Sequence, residues 1–205
     1  MTQKPTVHVG VYDSLADWEP GHLLAELRTG RFTGRPHDVV SVAATLDQIT
    51  TMGGLRVQPD VLVASLDPAD SALLVLPGAG LWDEGGGSAF ADAARRFLDA
   101  GVPVAAICGA TAGLARAGLP DDRAHTSAAL GYLEAQPGYA GAACYVDTRA
   151  VADRGLVTAG PDAPVQWAAA TLGALGLMPE GVQAAYEGVF ARGDVSSYEA
   201  LIGSA

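Results

Sequence analysis

Residues 101–116 read GVPVAAICGATAGLAR, and this stretch decides the fold. The apolar run 102–107 is typical of a buried parallel strand, and the residues after Cys108 are typical of a helix that begins at once. Strand-to-helix connections ordinarily use about 2 to 6 residues, so the missing loop predicts a sharp, strained turn at the cysteine. The small residues that follow, beginning with Gly109 and Ala110, let the backbone pass close to itself and leave the sulfur accessible.

Cys108 has two interpretations at such a turn. At a helix N-terminus the partial positive charge favours thiolate, which predicts a thiol pKa below its usual value of about 8.5 and a reactive nucleophile. A lone cysteine after an apolar strand is also often a small buried hydrophobe. The run of small residues that follows Cys108 favours the nucleophile.

The composition indicates one folded domain with a substantial core. Of the 205 residues, 49% are hydrophobic and 17% are charged, which excludes a disordered chain. The formal net charge of -11 argues against nucleic acid or an anionic membrane as a partner, because both would be repelled. We therefore expect a small molecule as the partner.

Other features of the composition narrow the class further. The chain shows neither a basic start followed by an apolar segment nor an apolar run of about 18 residues, which predicts a cytoplasmic protein. Only two cysteines are present, Cys108 and Cys144, so no disulfide framework is expected. No cluster of Cys and His has metal-ligand spacing, and we expect neither a metal nor a cofactor.

Two further motifs follow predicted strands. A strand over 6–12 precedes a helix whose first turn contains Pro20, which places Glu19 at the mouth of a strand-to-helix loop. Alternatively, Glu19 is a charge that merely suits the helix dipole. A strand over 71–76 ends in a Pro-Gly-Ala-Gly turn at 77–80, whose backbone N–H groups suit an oxyanion or a carboxylate; a plain turn is the alternative.

Strand and helix patterns alternate along the whole chain, which predicts one doubly wound, mostly parallel sheet. The other expected strands cover 37–44, 144–147 and 156–159, with 151–155 as a connection and a small hairpin turning at Gly53 and Gly54. Helices are expected over 88–100, 129–135, 161–177, 179–192 and 195–202. We predict a domain over 1–178 and a C-terminal helical appendage over 179–205, packed on the same domain.

Together, Glu19, the turn at 77–80 and the Ala-Ile-Cys-Gly-Ala elbow around Cys108 resemble the ThiJ/PfpI superfamily, a branch of the class I glutamine amidotransferase-like fold. The likeness covers residues 6–177 and implies a flavodoxin-like α/β sandwich of three layers, usually dimeric, so we expect a homodimer. The resemblance also implies roles for five residues. It makes Cys108 the nucleophile, Glu19 the acid, and Gly78, Ala79 and Gly109 the backbone donors of an oxyanion hole.

The chain departs from the family pattern at one position. Many members carry a histidine about 20 residues after the cysteine as the base of a Cys-His pair, and Ser127 stands in that place here. His125 lies two residues earlier, and residues two apart on a strand share a face, so His125 is the alternative partner. No histidine follows position 125, so a class I glutaminase triad has no base.

The expected mechanism pairs Cys108 with Glu19. Two adjacent anions in a buried pocket are costly, which predicts a protonated Glu19 that donates a hydrogen bond to the thiolate. Such a pair suits a cofactor-free hydrolase or lyase acting on a small electrophile: an amide, an isocyanide or a 2-oxoaldehyde. The alternatives are a stress-response sensor in which Cys108 stops at sulfinic acid, and a non-catalytic ligand-binding member of the superfamily.

Five other side chains are candidates for the pocket wall. Asp17 and Trp18 flank Glu19, and Asp17 is the alternative working acid. Trp82 follows the turn at 77–80 and either covers the site or fills a crevice. His125 and Ser127 complete the set.

Overall fold

The computed structural model of the chain describes residues 5–203. Its strands are β1 (Thr6–Gly10), β2 (Asp38–Ala43), β3 (Ile49–Thr50), β4 (Arg56–Val57), β5 (Val61–Leu62), β6 (Leu73–Leu76), β7 (Val104–Ile107), β8 (Ala150–Asp153) and β9 (Leu156–Ala159). Its α-helices are α1 (Gly21–Thr29), α2 (Gly80–Asp83), α3 (Ser88–Asp99), α4 (Gly109–Arg116), α5 (Leu130–Glu134), α6 (Pro164–Ala174), α7 (Glu180–Arg192) and α8 (Val195–Ile202).

Seven strands form one sheet in the order β5-β2-β1-β6-β7-β9-β8, and β3 pairs with β4 in a separate hairpin. All neighbours in the large sheet are parallel except β8 and β9. The strand order reverses between β1 and β6, because the chain passes from β1 to one side and from β6 to the other. Ligands of open α/β sheets bind outside the carboxyl ends of the strands at such a point. The predicted flavodoxin-like α/β fold is confirmed.

The edge of the sheet beyond β9 differs from the expectation. Residues 142–144 form a short 3₁₀ helix, so the strand predicted over 144–147 is wrong, and the connection predicted over 151–155 includes most of β8. Arg154 and Gly155 both have positive φ, 45° and 83°. Two such residues make the tight turn that joins antiparallel strands, and β8 therefore pairs back on β9.

Both faces of the sheet are buried, which explains the continuous apolar runs of the central strands. Alternate residues of β6 point to opposite faces of the sheet. Leu74 and Leu76 pack with Phe90 and Phe97 of α3 on one face. Leu73 and Val75 pack on the other face with α1 and α6. The period of two along each strand thus divides the apolar side chains between two helical layers.

The terminal helices belong to the second layer. Helix α7 packs on α6, and Tyr186 of α7 and Leu201 of α8 are almost completely buried in that core. Among the described residues, no helix is both long and apolar enough to cross a membrane.

Helix α4 is fixed against α2 by a tryptophan ring. Trp82 is fully buried, and its indole N–H points at the Pro77 carbonyl oxygen, 3.0 Å away. A Cβ atom on Gly113 would lie 2.2 Å from Cε3 of this ring, so the ring fits only because residue 113 has no side chain.

We predict that Gly113→Ala destabilises the protein by about 1–3 kcal/mol, although alanine is the better helix former, because the added methyl overlaps a ring that cannot move. Gly181→Ala is the matched control, since nothing lies within 4 Å of its added Cβ. Urea unfolding of both variants measures the difference. Equal stability of the two variants would contradict the packing described.

Candidate active site

Cys108 occupies a strained turn between β7 and α4. Its φ and ψ are 56° and -128°, a conformation that costs a residue with a side chain about 1–3 kcal/mol. Three hydrogen bonds hold the backbone there. The Cys108 N–H donates to the Ala159 carbonyl at 3.0 Å, and the Cys108 carbonyl accepts from the Thr111 N–H at 3.0 Å and from the Thr111 hydroxyl at 2.6 Å. The residue is partly exposed, so the predicted sharp elbow with an accessible cysteine is present.

Ser127 supports the same turn. Its hydroxyl lies 2.6 Å from the Thr111 hydroxyl, and because the Thr111 proton is given to the Cys108 carbonyl, Ser127 is the donor. Both side chains are buried. Ser127 therefore touches the elbow through Thr111 rather than through the sulfur. Thr111 was not singled out from the sequence; the available signal was its position as the one hydroxyl residue in the small-residue run 109–113.

Glu19 reaches the site because hydrogen bonds hold the loop after β1 against the loop after β6. The Ala16 N–H donates to the Gly78 carbonyl at 3.0 Å, and the Gly78 N–H donates to Oε2 of Glu19 at 2.6 Å. Glu19 is completely buried, and its other carboxyl oxygen has no hydrogen-bond partner among the described residues. A buried carboxyl with only one firm partner is costly to ionise.

Gly78 separates Glu19 from Cys108. A Cβ atom at position 78 would lie 2.8 Å from the Cβ of Cys108 and 2.8 Å from Oε2 of Glu19. The carboxyl and the cysteine therefore both contact the space that Gly78 leaves open. The pairing of Glu19 with Cys108 depends on glycine at this position.

The two groups shift each other's protonation. Burial raises the pKa of Glu19 to about 7, against the opposing effect of the Gly78 N–H. Burial, and after it the negative charge of Glu19, raise the pKa of the Cys108 thiol to about 12, although the Gly109 N–H acts in the opposite direction. The lowered thiol pKa expected from the helix N-terminus is thus wrong, because burial beside a carboxyl outweighs the helix dipole.

The three backbone donors implied by the resemblance are in different situations. The Gly78 N–H is occupied by Glu19, and the Gly109 N–H lowers the pKa of the Cys108 thiol against the larger effect of burial. The N–H of Ala79 donates to no acceptor within residues 5–203. The Ala79 N–H is therefore free to stabilise charge on a bound oxygen.

His125 is not a partner of Cys108. One ring nitrogen lies 2.8 Å from the Arg123 carbonyl and the other 2.8 Å from the Tyr139 hydroxyl, so both are occupied elsewhere. The remaining three histidines also have other partners: His8 bonds Ser71, His22 bonds Tyr186 and His37 bonds the Arg35 carbonyl.

The residues that flank Glu19 face other surroundings. Asp17 accepts the Gly53 N–H at 2.5 Å, and a hydrogen bond with Thr51 lowers its pKa. This carboxylate therefore ties the β3-β4 hairpin to the loop that carries Glu19. Trp18 is 52% exposed and lies on the wall of a groove of about 460 Å³ with His22 and Tyr186.

Trp82 does not cover the site, because its ring is part of the core under α4. The next residue, Asp83, is exposed and accepts a hydrogen bond from Tyr132 at 2.6 Å. The negative charge of Asp83 also contributes to the raised pKa of the Cys108 thiol, less than burial and Glu19 do. Tyr132 was missed from the sequence, since nothing local links α5 to α2.

The described residues contain no group of three or more His, Cys, Asp and Glu side chains arranged to hold a metal ion.

We predict that the Cys108 thiol, measured by thiolate absorbance in a Cys144→Ser background, titrates above pH 10. Adding Glu19→Gln shifts the midpoint downward, because the nearest negative charge is removed while the amide oxygen still accepts the Gly78 N–H. A midpoint near or below 8.5 in the parent would contradict this, and would restore the helix-dipole expectation.

Glu19 also predicts a pH dependence of stability. Its pKa is raised from 4.5 to about 7, so stability from the neutral carboxyl is complete below pH 4.5 and is lost as the pH rises through about 7. The total loss is roughly 3 kcal/mol. Urea unfolding should therefore show the stability of Glu19→Gln, relative to wild type, rising by roughly this amount between pH 4 and pH 8. The exposed Glu134→Gln is the control; an equal rise there would exclude Glu19 as the cause.

Comparison with known proteins gives a family match. The family model of the DJ-1/PfpI family matches residues 5–174. A Bacillus subtilis protein named "Uncharacterized protease YoaZ" is 37% identical over 174 residues, which is 83% of this chain and 83% of the relative.

Solved structures give the same result. The ThiJ/PfpI family protein from Bacillus anthracis superposes with a TM-score of 0.90 at 33% identity, over 98% of this chain and 97% of that one. The DJ-1 superfamily protein Atu0886 from Agrobacterium tumefaciens gives a TM-score of 0.83 at 36% identity, over 92% and 99% of the two chains. The fold, the elbow cysteine and these matches together show that the chain belongs to the DJ-1/PfpI family.

Proposed function

We propose that the chain is a cofactor-free, cysteine-dependent hydrolase or lyase that acts on a small electrophilic substrate, with Cys108 as nucleophile and Glu19 as its base and acid. One observation carries the proposal: a partly exposed cysteine on a strained elbow meets a buried carboxyl whose pKa is about 7. A group with a pKa near the working pH is the most effective carrier of a proton.

The raised thiol pKa changes the role expected for Glu19. Because the thiol keeps its proton at neutral pH, attack on the substrate requires a base. The ionised carboxylate of Glu19, which shares the space beside Gly78 with Cys108, is that base. As sulfur bonds to the substrate carbon, the thiol proton passes to Glu19 and the carbonyl electron pair moves to oxygen. Glu19 then returns the proton to that oxygen or to a leaving group, and the Ala79 N–H supports the developing charge.

For an amide or ester, the adduct collapses to a thioester as the leaving group departs with the proton. Water then hydrolyses the thioester, which releases the acid and restores the thiol. The relatives named proteases support hydrolysis as the coarse class of reaction. A small substrate is favoured over a peptide because no histidine pairs with Cys108 in the described part of the chain.

The alternative is an oxidation sensor in which Cys108 becomes a sulfinic acid beside Glu19. Sensor cysteines react with peroxide as thiolates, and a thiol with a pKa of about 12 is a poor match for that task. Peroxide titration with mass spectrometry tests it: rapid oxidation of Cys108 alone, with no turnover of any substrate, would favour the sensor.

We predict that hydrolysis of a small activated ester or conversion of methylglyoxal has a kcat/KM that rises with pH through about 7, as Glu19 loses its proton. Glu19→Gln removes this rise and lowers kcat/KM at pH 8 by about 10²–10⁴-fold. Cys108→Ser abolishes turnover, whereas Cys144→Ser retains it.

Two results would oppose the proposal. Turnover that survives Cys108→Ser excludes the nucleophile. A rate that falls as the pH rises through 7 means instead that protonated Glu19 assists a thiolate already formed.

A further inference from the structure

The side chain of Thr111 fixes the peptide that joins Cys108 to Gly109. The Cys108 carbonyl accepts the Thr111 N–H at 3.0 Å and the Thr111 hydroxyl at 2.6 Å. Every described peptide bond is trans, and in a planar trans peptide the N–H points opposite to the carbonyl. Because the carbonyl points at the buried Thr111, the Gly109 N–H points away from it.

The Gly109 N–H is placed to act on the reacting sulfur. Gly109 is the first residue of α4, so its N–H has no partner within the helix. The N–H lowers the pKa of the Cys108 thiol, which agrees with a donor directed to the side of the sulfur. A donor fixed in this way stabilises the negative charge that forms when the thiol loses its proton. The reactivity of Cys108 therefore depends on how firmly this peptide is held.

Ser127 holds the Thr111 hydroxyl from a distant part of the chain. The two hydroxyl oxygens lie 2.6 Å apart, and Ser127 is the donor because Thr111 gives its own proton to the Cys108 carbonyl. Both residues are buried, so water does not compete for these bonds. The hydroxyls thus form a directed chain from Ser127 through Thr111 to the elbow.

Strand β9 anchors both ends of this chain. The Thr126 N–H donates to the Thr158 hydroxyl at 2.8 Å, which fixes the backbone next to Ser127. The following residue of β9, Ala159, accepts the Cys108 N–H. Ser127 and the elbow are therefore held at a constant separation by neighbouring residues of one central strand.

A threonine hydroxyl bonded to a carbonyl a turn back is common in helices and often serves only to satisfy a local group. Two features distinguish Thr111 from that ordinary case. The carbonyl belongs to a residue with a φ of 56°, and strained backbone persists only where its surroundings over-determine it. In addition, a second buried hydroxyl, 16 residues away, is committed to orienting the first.

We propose that Thr111 is a positioning residue, supported by Ser127, and that the two hydroxyls aim the Gly109 N–H at the charge that develops on the Cys108 sulfur. Ser127 would then orient a hydrogen-bond donor from the position where the ThiJ/PfpI pattern has a histidine. The proposal rests on the proposed function in one respect only, that Cys108 is the attacking atom.

Alkylation of Cys108 by iodoacetamide tests the proposal without turnover. In a Cys144→Ser background, the sulfur bonds to carbon, iodide leaves with the electron pair, and the thiol proton passes to solvent. Thr111→Val keeps the branched shape and removes the hydroxyl. Loosening one hydrogen bond to an ionised group raises the thiol pKa by about one unit. Thiolate then falls about tenfold and its greater nucleophilicity restores about threefold, so we expect the rate at a fixed pH to fall about threefold.

Matched variants separate positioning from packing. Thr111→Ser keeps the hydroxyl and should keep the parent rate. Ser127→Ala should lower the rate, and should add nothing in a Thr111→Val background because it acts through that hydroxyl. Thr171→Val is the control: its buried hydroxyl donates to the Trp167 carbonyl at 2.7 Å in α6, across the sheet from α4. This variant loses a similar bond without touching the elbow, and its rate should not change.

An unchanged or faster rate in Thr111→Val would overturn the proposal, because a hydroxyl that served only packing would, on removal, expose the sulfur. An equal fall in Thr111→Ser or in Thr171→Val would overturn it too. No fall in Ser127→Ala, or a further fall in the double variant, would remove the role of Ser127.

Urea unfolding of each variant ensures that the rates compare folded proteins. If Thr111→Val does not fold, the comparison of Ser127→Ala with Thr171→Val tests the same chain of hydroxyls. Loss of the enzyme proposal would appear separately, as turnover that survives Cys108→Ser.

Discussion

The site depends on one buried carboxyl group held by one backbone N–H. Glu19 has no exposed surface, and the Gly78 N–H fixes its Oε2 next to the elbow cysteine. Burial keeps its proton bound up to about pH 7 and also keeps the thiol proton bound. Near pH 7 the carboxyl is therefore partly ionised while the thiol keeps its proton, and moving that proton from sulfur to the carboxylate converts the inert thiol into the nucleophilic thiolate.

Much of this architecture could be predicted from short-range features of the sequence. The absent loop at Cys108 predicted the elbow, and the positions of Glu19 and of the glycine turn after β6 predicted which loops meet at the sheet's switch point. These are short-range signals: apolar runs, helix starts and residues without side chains. They specify where the backbone goes and so predict the fold, whereas the pairing of Glu19 with Cys108 came from the resemblance to the ThiJ/PfpI superfamily.

Features that depend on contacts between distant segments could not be predicted. The burial of Glu19 involves three loops together, so the direction of the thiol pKa shift was beyond a rule based on the helix dipole alone. The Tyr132-Asp83 hydrogen bond spans 49 residues, and neither partner has a local signature. The antiparallel β8 was missed because an Arg-Gly pair looks like any polar connection until its positive φ values are known.

The packing of Trp82 against helix α4 limits how that helix can move. Because its ring fills the space above two helix glycines and is anchored to the Pro77 carbonyl, the first turns of α4 cannot open without disturbing the central core. Amide hydrogens of this segment should exchange with solvent only through global unfolding, unlike those of the edge hairpin β8-β9. The strained cysteine therefore lies beside a segment that opens only together with the core, and its geometry persists between encounters with other molecules.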